Sequence, residues 1–387
     1  MDRRSTERFF LVTCAAMFVF GVVLAVPGTV LALPDFVARL DLTLASRGAL
    51  ISSLFFGLLA GSAASGPLVD RIGRRAALAG SNALIAVCLP AFAAAPSFPP
   101  AAAALVALGL VSAAGNTAAN AIASGLYPDQ RARRMNIIAM AVGAGGLSVP
   151  VAVALAAGRV PGRAVIAAAG ALGAVVALAV VRSREPAHLG APVVLSRRDV
   201  AAVMAQPRLA AFGVIVALSG ANEASLAGWT TTYLSGGGVA PAVASWGLAI
   251  FWSGLMAGRL LFAGRVDRAQ ERAVIFGALA GAGSVLLLVA VRAPALMIAA
   301  TGMAGLAISL VMPTALAVAG GRYPRHAGTL FGVLLSVAQA GAMTLPAVVG
   351  LVAARAGVRG GLSLLVATNL IVAAVMWRNR TKPTTPL

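Results

Sequence analysis

Apolar stretches of about 18 to 25 residues follow one another along almost the whole chain, each long enough to cross a hydrocarbon layer as a helix. The breaks between them are short and fall at Pro, Gly and Arg. The 387 residues are 60% hydrophobic and only 11% charged, with a mean hydropathy of +0.94. A water-soluble fold cannot cover that much apolar surface, because folded domains keep a mixed exterior. A membrane β-barrel would show short segments of alternating polarity, and these runs do not alternate. The sequence therefore predicts an all-α membrane protein that crosses the bilayer many times.

The formal charge of +19 is carried almost wholly by Arg, Lys382 being the sole lysine. The basic residues sit in the breaks between apolar runs, where they set topology, and nucleic acid is not expected as a partner. Cys14 and Cys88 fall inside apolar runs and read as packing residues, with no disulfide framework or metal spacing. Met1 to Arg8 leads into a run too long for the core of a signal peptide, so the segment is expected to be retained. The chain shows no phosphate-binding motif after a strand, no metal-ligand cluster and no nucleophile–base pairing. Neither an enzyme nor a cofactor is expected.

Breaks at Pro, Gly and charge divide the chain into twelve spans. They lie at roughly 9–33, 46–67, 76–95, 100–126, 135–158, 162–182, 208–234, 242–264, 272–291, 294–321, 326–353 and 359–377. The longest polar connection separates the sixth span from the seventh. The expected domains are residues 1–182, a linker over 183–207, and residues 208–387. Within the linker, Ser196 and Asp199 could cap a short interfacial helix with Val200, Val203 and Met204 on its apolar side. Placing the termini and the even-numbered connections on one side collects twenty-two of the thirty basic residues there, against seven opposite. The positive-inside rule then puts both termini in the cytoplasm of an inner-membrane protein.

Between the second and third spans the chain reads Gly66-Pro67-Leu68-Val69-Asp70-Arg71-Ile72-Gly73-Arg74-Arg75-Ala76-Ala77-Leu78. Hydrocarbon excludes such charge, so a tight, water-facing turn is expected here. After the eighth span a degraded copy appears, in which Asp267 falls on Asp70, Arg268 on Arg71 and Arg272 on Arg75, without a counterpart of Gly73. The pattern G-x-L-x-D-R-x-G-R-R-x-x-L resembles the loop between the second and third helices of the major facilitator superfamily. That resemblance implies twelve helices in two six-helix bundles around a central cavity, working by alternating access. It also implies gating roles for Asp70, Arg71, Arg74, Asp267 and Arg268 where the two halves meet.

Glu223, in Ser219-Gly220-Ala221-Asn222-Glu223-Ala224-Ser225, is the one acid well inside a span. Burying an ionised acid at the bilayer centre costs about 2.5–3.5 kcal/mol even on a permissive scale, so it is expected to face a cavity or a partner. Proton coupling and hydrogen bonding to solute hydroxyls are the two functions it suits. Asn116 and Asn120 lie four apart on one face of the fourth span, Asn222 precedes Glu223, and Gln339 lies mid-span in the eleventh. Together with Trp252 they are expected to line one wet midplane cavity, although amides also cross-link membrane helices. Trp229 is either a site aromatic or core filling, and the glycine runs at 143–146 and 277–283 read as close helix packing.

A narrower similarity runs through Asn120, Leu126-Tyr127-Pro128, Arg131 to Asn136, Gly220-x-x-Glu223 with Trp229 and Tyr233, Phe251-Trp252 and Gly258-Arg259-Leu260-Leu261. These residues look like the fucose–galactose–gluconate proton symporter group. Symporters of that kind tend to carry acids in the first half, whereas here the first, fourth and fifth spans have none near mid-depth. The leading expectation is a monomeric, proton-coupled transporter of a small polar solute, sugar or sugar-like, resident in the lipid bilayer. The alternative is a multidrug or metabolite exporter working by proton antiport. A non-transporting receptor is a third class, one that would show no substrate-dependent flux.

Overall fold

Apolar, Ala- and Leu-rich runs with Pro at their starts and Gly at their ends fold as helices, because hydrocarbon leaves the backbone no partner but itself. The computed structural model describes residues 3–127, 131–186, 209–262, 270–322 and 327–380. Among the described residues every element is a helix: α1 (Arg3–Val30), α2 (Pro34–Arg39), α3 (Leu44–Ile72), α4 (Arg74–Ala94), α5 (Phe98–Leu126), α6 (Arg131–Ala156) and α7 (Gly162–Arg182). They continue with α8 (Leu209–Gly236), α9 (Pro241–Phe262), α10 (Gln270–Ala290), α11 (Pro294–Ile308), α12 (Val311–Arg322) and α13 (Ala327–Arg378). Eleven described helical runs are long and apolar enough to cross a membrane.

Two local features depart from the sequence reading, and a third follows it. The charged run at 66–78 is not all turn, since α3 continues through Pro67 to Ile72 and carries Asp70 and Arg71 on its last turn. The reversal is confined to Gly73, whose φ of 87° is open to glycine and strained for other residues. The expected tenth span is interrupted between α11 and α12 at Ser309 and Leu310. Pro313 explains this, because it has no N–H and its ring crowds the carbonyl of Ser309 four residues back. Finally, α13 is 52 residues long and would reach about 78 Å if straight, more than twice a bilayer core. It breaks at Gly357, with φ 74° and ψ 166°.

Packing pairs recur along the chain. In the first half α1 packs on α6, α3 on α5 and α4 on α7. In the second half α8 packs on α13, α9 on α11 and α10 on α13. Glycine makes these approaches possible. A side chain at Gly145 would overlap the Phe18 carbonyl of α1, and one at Gly21 would overlap the Val142 carbonyl of α6. Hydroxyls inside the spans donate back to carbonyls one turn earlier, as Thr13 does to Phe9 at 2.9 Å and Thr29 to Ala25 at 2.8 Å.

Among the described residues, contacts between the halves lie from mid-height toward the face opposite the chain termini. Gly28 of α1 abuts Ala227 of α8, and Thr231 donates to the Gly28 carbonyl. Gly48 of α3 abuts Pro346 and Gly350 of α13. Near mid-height, Gly143 and Gly146 of α6 receive Met256 and Trp252 of α9. The hydrophobic core follows the same division. One cluster runs through the first half and into the outer part of the second, whereas Leu209, Phe212, Val274, Val318, Leu334 and Met376 belong to a separate cluster near the termini.

Candidate functional site

The packing of α8 dictates where Glu223 points. Ala217 and Gly220 press against Gly341 and Ala338 of α13, Ala227 against Gly28 of α1, and Leu234 against Gly247 of α9. At 100° per residue, Glu223 points in nearly the same direction as Leu234, toward α9. On α9, Trp252, Met256 and Arg259 recur at helical spacing and share one face. The first two seat against the glycines of α6, so Arg259 lies about one turn beyond that contact, toward the termini.

Arg259 Nη2 stands 3.7 Å from Glu223 Oε2, with the side chains 15% and 24% exposed. These are the only charged side chains on α8 and α9. At such a distance the attraction is about 4 kcal/mol for an effective dielectric near 20, and loss of hydration offsets much of it. The pair is an ion pair without a hydrogen bond. Arg259 Nε, Trp252 Nε1 and Asn222 Nδ2 are buried donors that meet no acceptor.

The other sequence-predicted residues fall in several places. Asn222 is 1% exposed and turned toward α13, where Thr368 donates to its Oδ1 at 2.6 Å. Asn116 and Asn120 form a pair on α5, with Asn120 Nδ2 donating to the Asn116 carbonyl at 2.8 Å and to its Oδ1 at 2.9 Å. Asn116 also borders a small void among α1, α4 and α5, lined by Met17, Phe20, Asn82 and Ser112. With about 10 Å³ for a water centre, that void holds one water and no solute. Gln339 is half-buried on α13, beside the Ala338 that meets Gly220. Trp252 is 2% exposed and lies flat on Gly146, part of the contact between the halves. The helices thus bring Trp252 to the seam, set Glu223 against Arg259 of α9 and turn Asn222 toward Thr368 of α13.

Asp70 and Arg71 are exposed at the end of α3, while Arg74 is 8% exposed at the start of α4. Asp267 and Arg268 lie outside the described residues. Trp229 is fully buried and donates its indole N–H to the Pro346 carbonyl at 3.1 Å.

Arg259 stands in the sequence only within the Gly258-Arg259-Leu260-Leu261 similarity, with no role expected of it. The available signal was that Arg259 is the sole charge on the eighth span, as Glu223 is on the seventh. The sequence reading passed over two ion pairs near the terminal face. Arg134 holds Glu7 through both nitrogens, at 3.3 and 2.9 Å, and stacks 3.7 Å from the Tyr127 ring centroid. Arg322 meets Glu271 at 2.5 Å over the Phe212 ring.

A helical membrane protein with a repeated packing scheme and a half-buried ion pair between two neighbouring spans has the form of a transporter. The family model of the Major Facilitator Superfamily matches residues 9–236, and the chain belongs to that superfamily of transporters of small solutes. No curated protein matches the chain. Among solved structures, it is similar to a bacterial homolog of the human lysosomal transporter Spinster in an inward-facing, unoccupied conformation. That match has a TM-score of 0.81 at 17% identity and covers 99% of this chain and 100% of that one. It is also similar to the nucleoside transporter NupG, with a TM-score of 0.78 at 15% identity over 99% and 100% of the two chains. The xylose transporter XylE from E. coli, in a partially occluded inward-open conformation, gives 0.78 at 13% identity over 99% and 100%. Identities this low speak to the fold.

Proposed function

We propose that this chain is a proton-coupled transporter of a small polar solute, sugars and sugar-like metabolites first, working by alternating access between two six-helix bundles. The bundles are residues 1–182 and 208–387, joined by the 183–207 linker. Division of α13 at Gly357 supports a count of twelve spans, and the recurring packing pairs support two equivalent halves. Fused cores on the far face and separate cores near the termini support a state open on the terminal side. The arginine bias assigns that side to the cytoplasm of an inner membrane. NupG and XylE are named for nucleosides and xylose, which favours a polar cargo over a lipophilic one.

The observation that carries the reading is Glu223, the single acid at mid-span, set half-buried against Arg259 of α9. An acid held there, open to whichever side the halves expose, is suited to carry a proton across. Asn116, Asn120 and Gln339 are proposed solute contacts and Trp252 a wall. Asn222 positions α8 against α13. Asp70, Arg71 and Arg74, with Asp267 and Arg268, are proposed to steady the terminal-side closure in the opposite state.

Glu223→Gln in proteoliposomes tests this directly. The amide keeps the shape and cannot titrate, so accumulation driven by a pH gradient should stop while exchange of labelled for unlabelled solute continues. Accumulation undiminished in the variant would sink the proton role.

A further inference from the structure

Arg259 is unusual in what it lacks. Its one charged neighbour among the described residues is the Glu223 carboxylate at 3.7 Å, beyond hydrogen-bond reach. Its buried Nε donates to nothing, and two turns away on the same face the buried Trp252 Nε1 also has no acceptor. An unmade hydrogen bond at a buried guanidinium nitrogen is costly, so the face of α9 from Trp252 to Arg259 is short of acceptors. A neutral polyol supplies donors along with acceptors. A carboxylate supplies acceptors alone, with two oxygens spaced to take both arms of a guanidinium.

We propose that Arg259 is the recognition residue for a carboxylate-bearing solute, and that Glu223 is the internal carboxylate this solute displaces. The proposal rests on the reading of Glu223 as proton carrier. In the empty protein Glu223 neutralises Arg259. When the solute carboxylate takes the guanidinium, Glu223 is left without a cation and binds one proton. Empty, the site holds one anion and one cation. Occupied, it holds a protonated Glu223, the cation and the solute anion, so the charge is unchanged and one proton enters with each anion.

Nothing else on the packed helices interferes. The charged residues of α1 are Arg3, Arg4, Glu7 and Arg8 in its first turns. Those of α6 are Arg131, Arg133 and Arg134 at its start, and those of α13 are Arg355, Arg359 and Arg378 toward its ends and its Gly357 break. α3 adds Arg47 in its first turn and Asp70 and Arg71 in its last, α12 adds Arg322 in its last turn, and α11 adds none. At the height of the pair these helices carry no acid or base.

The test is thermal stabilisation of the purified full chain by gluconate and by lactate, with glucose and galactose as neutral counterparts, at pH 5.5 and 7.5. At least one carboxylate should stabilise the protein, and more tightly at pH 5.5, whereas the neutral sugars should not. Arg259→Gln should weaken carboxylate binding tenfold or more, Arg259→Lys should recover part of it, and Glu223→Gln should bind with no pH dependence. If Arg259→Gln does not fold, the lysine and Glu223→Gln variants carry the decision. Failure of both carboxylates to bind, or equal binding by wild type and Arg259→Gln, overturns the proposal. Glucose or galactose binding with a Glu223-dependent pH profile would overturn it while leaving the proton carrier in place. Carboxylate binding that needs Arg259 but ignores pH and Glu223 would keep the recognition residue and remove the proton carrier.

Discussion

Trp229 and Asn222 flank the one charged residue of their helix, yet both serve the scaffold. The Trp229 ring rests on Gly350, its N–H reaches the Pro346 carbonyl, and so it ties α8 to α13. Trp229→Phe removes that donor and part of a filled volume. It should lower stability by about 1–3 kcal/mol, read as a lower melting temperature in detergent, with solute affinity unchanged. Asn120→Ala tests the opposite case. Its amide bonds within its own helix, so stability should hardly move. A solute contact would instead show as affinity weakened by about 1–3 kcal/mol, measured by ligand-induced stabilisation. From sequence, each of these polar or aromatic residues had two readings, because a side chain in a bilayer bonds equally well to a neighbouring helix or to a cargo.

At the level of elements, glycine positions that look alike along the chain differ in what surrounds them. Gly145 lies against the Phe18 carbonyl of α1, while Gly80 of α4 has open space where a side chain would go. Gly145→Leu must push α1 and α6 apart and should cost about 3 kcal/mol or more, seen as low yield of folded protein. Gly80→Ala should change stability by under about 1 kcal/mol. Equal effects at both sites would contradict the packing scheme. Helix ends follow a similar logic. Gly73 and Gly357 both adopt positive φ, and both were legible as breaks because charge or a span's worth of apolar residues lay on either side. That α3 would carry Asp70 and Arg71 as helix was not legible, since a charged last turn beyond the hydrocarbon meets no penalty and stays helical.

For the whole molecule the decisive feature is where the halves touch. Thr231 bonds the Gly28 carbonyl across the seam, and Ile51 of α3 is 1% exposed against Gly228 of α8. On the proposed alternating-access reading, Thr231→Val deletes a bond that holds the far face closed. Losing about 1 kcal/mol of closure shifts the population roughly fivefold. In a background lacking Cys14 and Cys88, a cysteine at Ile51 should then label faster with a membrane-impermeant thiol reagent applied to the far face. Unchanged labelling would mean that the bond does not hold the closure.

Length and polarity of the apolar runs determined the class of fold, since hydrocarbon permits only helices in segments of this kind. Spacing of Gly, Pro and Arg placed nearly every helix end, and the lone acid of the seventh span stood out by its charge. Tertiary structure alone decided which neighbours that acid has. Rotation of α8 about its axis, fixed by close contacts with α1, α9 and α13, sends Glu223 to Arg259 and Asn222, one residue away, to Thr368. Arg259 becomes its partner only when α9 lies beside α8, a contact between residues 36 positions apart that no local periodicity encodes.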